Sequence, residues 1–261
     1  MKKHILITGS TDGIGKLTAI KLAKEGHQIY LHGRNQDKLN TAISDVISQS
    51  GNKDVKGFVA DFSDLKAVKQ MSTQVTALPQ LDVLINNAGV YNGTSKSTDL
   101  RMIVNYLAPV LLTTEIIPLL QKGNDPRIIN LSSAAQSSVS LDVLKGDQQV
   151  SERDAYAQSK LALTMWSFDL AKKLKGISVI AVNPGSLLHT KMALEAFGNS
   201  WSSADKGAEI LYKLAISDEH QGVTGKYFDN DSGSYTEAHP DAYDDSKIHS
   251  LMNQTNKITV H

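Results

Sequence analysis

The sequence contains no cysteine, which excludes disulfide bonds, thiolate catalysis and cysteine-ligated metal sites. It also lacks an excess of charge. Its 27 basic residues are balanced by 27 acidic ones, so there is no general electrostatic reason to bind nucleic acid or an anionic membrane. His189 and His239 do not stand at a metal-ligand spacing, and no metal is predicted. A small-molecule partner is therefore expected.

Long apolar runs are missing from the N-terminus as well. Only a few apolar residues follow Met1-Lys2-Lys3-His4 before the chain reaches Thr8-Gly9, too few for a signal-peptide core or a membrane span. The composition, with 41% hydrophobic and 21% charged residues, is that of an ordinary globular protein. These features predict a soluble, cytoplasmic protein.

Short apolar runs alternate with segments of helical length along most of the chain. This alternation predicts an α/β fold of Rossmann type, a doubly wound parallel sheet with helices on both faces. No repeat or Pro/Ser-rich linker divides the chain, so residues 1–261 are predicted to form a single domain. The predicted strands are Ile5–Thr8, Gln28–Leu31, Val55–Ala60, Leu81–Asn86, Arg127–Leu131 and Ile177–Val182.

A glycine-rich turn follows the first predicted strand and leads into a helical pattern. Gly9 permits a tight turn, Gly13 lets the backbone approach a pyrophosphate, and Gly15 allows close packing of helix on strand. Free N–H groups at the helix N-terminus would face the phosphates. Asp12 is interpreted first as the N-cap of this helix. The predicted cofactor contacts in the turn are Gly9, Ser10, Thr11, Asp12, Gly13, Ile14 and Gly15.

The end of the second predicted strand indicates which nicotinamide cofactor is used. Gly33 stands where an acidic residue would favour NAD, and Arg34 next to it offers a guanidinium for a 2′-phosphate. NADP(H) is therefore preferred. NAD(H) stays open, because Asp12 places a negative charge in the turn and Arg34 can also be read as a solvated loop cation.

Tyr156 and Lys160 are the first candidates for catalysis. In a helix they share one face, and an ammonium beside a phenol lowers the phenol pKa from about 10. A tyrosine of this kind can serve as general acid or base. The pair alone is weak evidence, because exposed tyrosine and lysine are common on helices. Ser133 strengthens it, since this serine ends a predicted strand at the edge where α/β sheets bind ligands.

Taken together, these motifs resemble the short-chain dehydrogenase/reductase family in kind and in order. The glycines have the family's Gly-x3-Gly-x-Gly spacing. The long stretch between Ser133 and Tyr156 resembles the retinol-dehydrogenase-like branch, and a bacterial source is expected. The elements that carry the resemblance are Thr8 to Gly15, Asn86 to Gly89, Asn105, Ser133, Tyr156, Lys160 and Pro184-Gly185.

The resemblance implies hydride transfer between nicotinamide C4 and a carbonyl carbon, with the cofactor carrying the redox chemistry. Tyr156 would protonate the carbonyl oxygen or deprotonate the alcohol, and Ser133 would orient that oxygen. Lys160 would lower the pKa of Tyr156 and bind the nicotinamide ribose. Asn105 would support a water-linked proton relay to Lys160. Ser132 competes with Ser133 for its role, and the family pattern favours Ser133.

The resemblance also implies further cofactor contacts at the ends of other strands. Asp61 and the backbone of Phe62 would meet the adenine, and the segment after the fourth strand would line the site. A threonine is expected near the nicotinamide amide, although Thr190 stands one residue later than the commonest spacing. The additional residues are Asp61, Phe62, Asn87, Ala88, Gly89, Pro184, Gly185 and Thr190.

Substrate loops are predicted near residues 136–154 and 186–203. The second loop predicts an apolar or medium-sized carbonyl or alcohol substrate. A homodimer or homotetramer is expected by analogy, through a helix that contains Tyr156 to Lys175. The polar tail after Asp229 is predicted to be irregular. The apolar residues of the second loop are Leu187, Leu188, Met192, Leu194, Phe197 and Trp201.

Two other functions compete with this enzyme. A cofactor-binding redox-sensing regulator could use the same fold without keeping catalytic residues. A nucleotide-sugar epimerase uses a related tyrosine and lysine, but its usual glycine spacing and larger C-terminal domain are not seen.

Overall fold

The computed structural model describes residues 1–95, 97–186, 188–190, 193–194 and 202–259. The described strands form one eight-stranded sheet of order β3-β2-β1-β4-β5-β6-β7-β8, in which only β8 runs antiparallel to its neighbour. The doubly wound fold is confirmed, and the single domain over residues 1–261 stays a prediction. The strands are β1 His4–Ile7, β2 Gln28–Gly33, β3 Val55–Val59, β4 Val83–Asn86, β5 Arg127–Leu131, β6 Ser178–Asn183, β7 Lys226–Asp229 and β8 Ser234–Thr236.

Helices connect the strands and cover the sheet. A π-helical segment, Ile103–Leu107, joins α4 to α5, and short 3-10 turns lie at Asp218–His220 and Pro240–Tyr243. The helices are α1 Gly13–Lys24, α2 Gln36–Ser50, α3 Leu65–Thr76, α4 Leu100–Met102, α5 Ala108–Leu120, α6 Leu141–Lys145, α7 Glu152–Lys173, α8 Ala204–Ile216 and α9 Asp245–Thr259.

Burial on both faces explains why the strands read as continuous apolar runs. In β1, Ile5, Leu6 and Ile7 are all fully buried, but they point alternately to two separate apolar cores. Leu6 packs in the core that includes residues of α3, α5 and α7. Ile5 and Ile7 pack in the core formed with α1, α2 and α8.

Three helices begin at the carboxyl edge of the sheet, because each follows a parallel strand, and a side chain caps each of their N-termini. Asp12 accepts a hydrogen bond from the backbone N–H of Gly13 at 2.7 Å, which confirms it as the cap of α1. Asn35 and Asp64 cap α2 and α3 in the same way. The positive ends of these helix dipoles therefore face the edge where a phosphate-bearing ligand would bind.

One helical run, Leu100–Leu120, is long and apolar enough to cross a membrane by length and composition. Its most apolar window is 78% buried inside the protein. Burial of this extent is the behaviour of a core helix, and it explains the composition without a membrane.

The C-terminal region differs from the prediction of an irregular polar tail. It contains β8 and helix α9, which buries Ile248, Leu251 and Thr255. The tail appears polar in sequence because α9 buries only one narrow stripe and exposes the rest. Its buried stripe packs near α7, and the hydroxyl of Tyr106 lies 2.6 Å from that of Thr255.

Candidate active site

Close backbone contacts at the carboxyl edge explain the glycines of the turn after β1. Gly9 and Gly13 have φ angles of 62° and 55°, in the left-handed region that favours glycine. A Cβ on Gly9 would lie 2.7 Å from Cα of Ala88, and a Cβ on Gly15 would lie 2.5 Å from the side-chain amide nitrogen of Asn87. The turn is therefore pressed against the segment after β4, and larger residues would force them apart.

Asn87 and Thr8 hold this contact together. The Thr8 hydroxyl oxygen accepts from the backbone N–H groups of Asn87 and Ala88, both at 3.0 Å. In return, the Asn87 side-chain amide donates to the carbonyls of Thr8 at 2.8 Å and Gly9 at 2.9 Å. The predicted residues Asn87 and Ala88 thus shape the turn directly, and Gly89 follows them in the chain.

The other predicted residues of the turn have different surroundings. Ser10 is fully buried: its hydroxyl donates to the Ile7 carbonyl at 2.7 Å, and its N–H donates to the His32 carbonyl at 2.9 Å. Ser10 therefore joins β1 to β2, and neither donor is available to a ligand. Ile14 lies beside Gly207 of α8, where a Cβ on the glycine would be 3.1 Å from the isoleucine Cδ1.

His32 is a residue of the site that the sequence did not reveal. Its Nδ1 accepts from the Gly9 N–H at 3.0 Å, so Nε2 carries the proton and donates to the Ala60 carbonyl at 3.0 Å. Its ring stacks on Phe62 with centroids 4.2 Å apart. Burial lowers the pKa of His32 to about 4, so the imidazole is neutral at physiological pH. In sequence it reads as an ordinary strand residue.

Arg34, Gly33 and Asp61 lie where the adenosine end of a dinucleotide was predicted. The Arg34 side chain is exposed, and within the described residues it makes no hydrogen bond or ion pair. A Cβ on Gly33 would collide with the Thr11 methyl group. Asp61 is exposed and accepts from the N–H and hydroxyl of Ser63, at 2.9 and 2.7 Å. Of these three residues, Arg34 therefore supplies a positive charge that has no partner among the described residues.

The three predicted catalytic side chains meet at the ends of β5 and α7. The Ser133 side chain lies close enough to Tyr156 to lower the pKa of its phenol. The Lys160 Nζ lies 5.5 Å from the Tyr156 ring centre and donates to the Leu131 carbonyl at 2.7 Å. Tyr156 and Lys160 lie one turn apart on the same face of α7, and Ser133 lies just after the end of β5. The three side chains are therefore positioned by one helix and one strand end.

The electrostatics of this group differ in one respect from the prediction. Burial raises the pKa of Tyr156, and the neighbouring Ser133 side chain opposes this only partly. Burial also lowers the pKa of Lys160 to about 8, because its ammonium lies in a desolvated site. In this structure desolvation therefore dominates the Tyr156 pKa, and Lys160 is not among the groups that shift it, so the expected lowering by Lys160 is wrong for this state of the protein.

Ser132 and Ser133 have separate surroundings. Ser132 is buried, and its hydroxyl lies 3.1 Å from the Lys160 carbonyl and 2.7 Å from the Thr164 hydroxyl. These contacts attach β5 to α7, and none of the described hydrogen bonds of Ser132 goes to Tyr156. This supports the preference for Ser133 as the substrate-facing serine.

Asn105 lies in the π-helical segment, buried beside the site. Its side-chain oxygen accepts from the Val90 N–H at 2.8 Å, and its amide donates to the Val90 carbonyl and the Ser159 hydroxyl, both at 3.0 Å. None of the described contacts joins Asn105 directly to Lys160, which follows Ser159. The water-linked relay stays a prediction.

The segment after β6 approaches the glycine turn from the other side. The Pro184 carbonyl accepts from the Asn230 amide at 2.8 Å, and the Gly185 N–H donates to the Asn183 side chain at 3.2 Å. The Thr190 methyl group lies 3.9 Å from where a Cβ on Gly13 would stand.

The apolar residues of the second predicted substrate loop are described only in part. Leu188 is buried and Leu194 is 40% exposed. Leu187, Met192, Phe197 and Trp201 of the predicted loop lie outside the described residues.

Two tyrosines beside the catalytic group carry no motif and were missed in the sequence. The Tyr91 ring lies 5.2 Å from the Tyr156 ring, centroid to centroid. The Tyr227 hydroxyl donates to the Ser133 carbonyl at 3.0 Å. Tyr227 also lines a cavity of about 260 Å³ next to Ser133, together with Ala134, Gln136, Asp229, Thr236, Glu237, Ala238 and His239.

This cavity places the start of the predicted loop 136–154 at the site. The Gln136 side-chain oxygen accepts from the His239 N–H at 3.3 Å, so the loop contacts the C-terminal region. The lining is more polar than the apolar substrate site expected from the sequence.

Comparison with known proteins agrees with this geometry. The model of the short chain dehydrogenase family matches residues 3–200. Retinol dehydrogenase 13 of Mus musculus is 32% identical over 251 residues, covering 87% of this chain and 75% of its own. Dehydrogenase/reductase SDR family member 13 of Bos taurus is 31% identical, covering 97% of this chain and 72% of its own. A short chain dehydrogenase from Shigella flexneri, solved with NADP, is 28% identical with a TM-score of 0.71, covering 88% and 97% of the two chains.

Proposed function

Because the chain belongs to the short-chain dehydrogenase family and resembles its retinol dehydrogenases, we propose that it transfers a hydride between NADP(H) and a carbonyl or alcohol substrate. The observation that carries this proposal is the meeting of Ser133, Tyr156 and Lys160 at the sheet edge that also bears the glycine turn. A bacterial source stays a prediction.

Tyr156 is the general acid for carbonyl reduction and the general base for alcohol oxidation. Its raised pKa keeps the phenol protonated at neutral pH, which is the form that donates to a carbonyl oxygen. Ser133, whose side chain lies next to that phenol, is placed to share the same oxygen. Lys160 lies behind the ring, where it would meet a ribose. The nicotinamide cofactor supplies or accepts the hydride.

The residues of the turn fit a dinucleotide with a 2′-phosphate. The glycines leave a cradle that side chains would fill, next to the N-terminus of α1. An acid at position 33, the arrangement that favours NAD, would collide with Thr11, whereas Arg34 is exposed and unpaired within the described chain. The Shigella relative was solved with NADP. NADP(H) is thus preferred, with NAD(H) as a weaker ligand.

A redox-sensing regulator is the weaker alternative. Such a protein needs the cofactor site but not an assembled acid–base group. Here the serine, tyrosine and lysine are brought together from β5 and α7. An enzymatic function therefore explains the arrangement of these three side chains, which a regulator would not need.

The cytoplasmic location and the homo-oligomer predicted from the sequence remain proposals. The helix expected to pair between subunits, α7, is contacted by the chain's own C-terminal region: the Phe168 and Tyr243 rings are 5.3 Å apart, and Lys172 pairs with Asp245 at 2.7 Å. A homodimer or homotetramer would therefore use another surface, or displace this region.

Fluorescence titration with NADPH and NADH, followed by a panel of aldehydes and ketones, tests the proposed function. Tyr156→Phe should bind NADPH like the wild type and lose turnover by about 100-fold or more, the usual contribution of a general acid. Failure of the wild type to bind either nucleotide would refute the proposed oxidoreductase function. Full turnover by Tyr156→Phe would refute the mechanism alone.

A further inference from the structure

A buried guanidinium close to the site has no role in the chemistry described so far. Arg101, in α4, is 4% exposed. Its Nε and Nη2 donate to the two carboxylate oxygens of Asp99 at 2.8 and 2.6 Å, a bidentate pair. Its Nη1 donates to the backbone carbonyls of Tyr91 at 2.8 Å and Gly93 at 3.2 Å.

The same Nη1 also reaches the catalytic helix. It lies 3.1 Å from the Glu152 carboxylate, which in addition accepts from the Gly93 N–H at 3.3 Å. Glu152 is the first residue of α7, one turn before Tyr156. Ser151 caps α7 independently, through the N–H of Asp154. The contact at Glu152 is therefore not needed to start the helix, and its effect is to fix the loop of residues 91–93 against it.

This loop carries an aromatic ring to the reacting group. The Tyr91 and Tyr156 rings are 5.2 Å apart with planes inclined by 48°. A ring at this distance from the phenol is within contact range of a carbonyl compound bound there. Gly93 allows the loop to approach closely, because a Cβ on it would lie 2.6 Å from a Leu100 methyl group.

Resting on the proposed oxidoreductase function, we propose that Tyr91 is a specificity-determining residue that packs on the carbon skeleton of the substrate, and that Arg101 is the positioning residue that holds it beside Tyr156. Carbonyl compounds with an aromatic ring next to the carbonyl carbon are then preferred to saturated ones of equal size. The planar guanidinium suits this role because lysine cannot reproduce its fixed fork of donors.

The chain offers a matched control for Arg101. Arg127, at the start of β5 on the opposite edge of the sheet, is 1% exposed. Its guanidinium binds the Asp125 carboxylate and the carbonyls of Leu214 and Ser217, both at 2.9 Å. Arg101→Lys and Arg127→Lys therefore both disturb a buried guanidinium, but only the first lies next to the site.

Steady-state kinetics on the two variants test the positioning role. Both should lower the thermal midpoint. Only Arg101→Lys should raise KM for benzaldehyde, by about tenfold because a displaced wall loosens substrate placement, while the NADPH dissociation constant stays within about twofold. Equal kinetics of the two variants would overturn the role of Arg101. If Arg101→Lys does not fold, Glu152→Ala takes its place. This variant removes the ion pair between Glu152 and Arg101 at a side chain that is half exposed, and it should raise KM for benzaldehyde by about threefold.

A substrate pair tests Tyr91 itself. In Tyr91→Ala, the ratio of kcat/KM for benzaldehyde to that for cyclohexanecarbaldehyde should fall by about fivefold, whereas Tyr91→Phe should keep the wild-type ratio. An unchanged ratio in Tyr91→Ala would overturn the specificity role. Absence of any carbonyl turnover by the wild type would instead refute the proposed function, so the two failures are distinguishable.

Discussion

The His32 imidazole accepts a hydrogen bond from the backbone N–H of Gly9 at 3.0 Å, which ties the second strand to the glycine turn. The opposite ring nitrogen binds the Ala60 carbonyl, and the ring face lies on Phe62. One buried side chain thus joins the turn predicted to hold the pyrophosphate to the wall predicted to hold the adenine. This relationship makes the shape of the cofactor site depend on His32.

Replacing His32 by phenylalanine should weaken NADPH binding. The change leaves the Gly9 N–H and the Ala60 carbonyl without their partner, and a buried unsatisfied group costs about 1–3 kcal/mol. We expect a loss of about 2 kcal/mol in the free energy of unfolding, and a rise of about tenfold in the NADPH dissociation constant because the turn loosens. Urea unfolding and fluorescence titration measure the two effects.

His27 provides the control for this variant. It is also buried, and its Nδ1 accepts from the Lys3 N–H at 3.1 Å, before the start of β1 and away from the cofactor edge. His27→Phe should lower stability without changing NADPH affinity. A similar loss of affinity in both variants would show that His32 acts on the fold in general and not on the turn.

His32 also predicts a pH dependence of stability. Because burial lowers its pKa from 6.5 to about 4, the unfolded chain binds the proton more readily than the folded one between these values. The contribution of neutral His32 is complete above pH 6.5 and is lost as pH falls towards 4. From pH 7 to pH 5 the loss should be about 2 kcal/mol.

Urea unfolding of the wild type and His32→Gln at both pH values isolates this contribution. Carboxylates titrate in the two proteins alike, so the difference between the proteins reports His32. The variant should show a pH dependence smaller by about 2 kcal/mol. Parallel pH profiles would mean that His32 is protonated in the folded protein at pH 5.

The adjacent serines should respond oppositely to replacement by alanine. Ser133→Ala removes the hydroxyl next to Tyr156 that would orient the substrate oxygen, and turnover should fall by about 10- to 100-fold with little change in stability. Ser132→Ala removes the buried bond to Thr164, and stability should fall by about 1 kcal/mol while turnover is retained. Turnover assays and thermal unfolding of both variants check the pair, and a reversal of the two results would exchange their roles.

The parts of the site that follow local rules could be predicted from the sequence. Each of the six predicted strands overlaps one of β1 to β6, because burial on both faces makes most residues of the central strands apolar. The edge strand β3 is partly exposed, at Lys56 and Val59, and is less uniformly apolar. Tyr156 and Lys160 share a face by helical geometry, and Gly9 and Gly13 are glycines because their φ angles are positive.

Contacts between distant segments could not be predicted in this way. His32, Tyr91 and Arg101 act through residues far along the chain, and in sequence they are a strand histidine, a loop tyrosine and a charged helix residue. The raised pKa of Tyr156 also required the structure, because desolvation depends on packing that the spacing to Lys160 does not contain.

Arg34 should decide the preference between the two nicotinamide cofactors. Its guanidinium is exposed at the end of β2 with no described partner, so a 2′-phosphate would form its ion pair without breaking another. In Arg34→Ala, the NADPH dissociation constant should rise by about 10- to 100-fold, the range for a hydrogen bond to a charged group, and that for NADH by less than about threefold. Lys175→Ala, which removes an exposed cation between the end of α7 and the start of β6, at the opposite edge of the sheet, is the matched control and should change both values little. Equal losses for NADPH and NADH in Arg34→Ala would place the 2′-phosphate away from this side chain and remove the basis for preferring NADP(H).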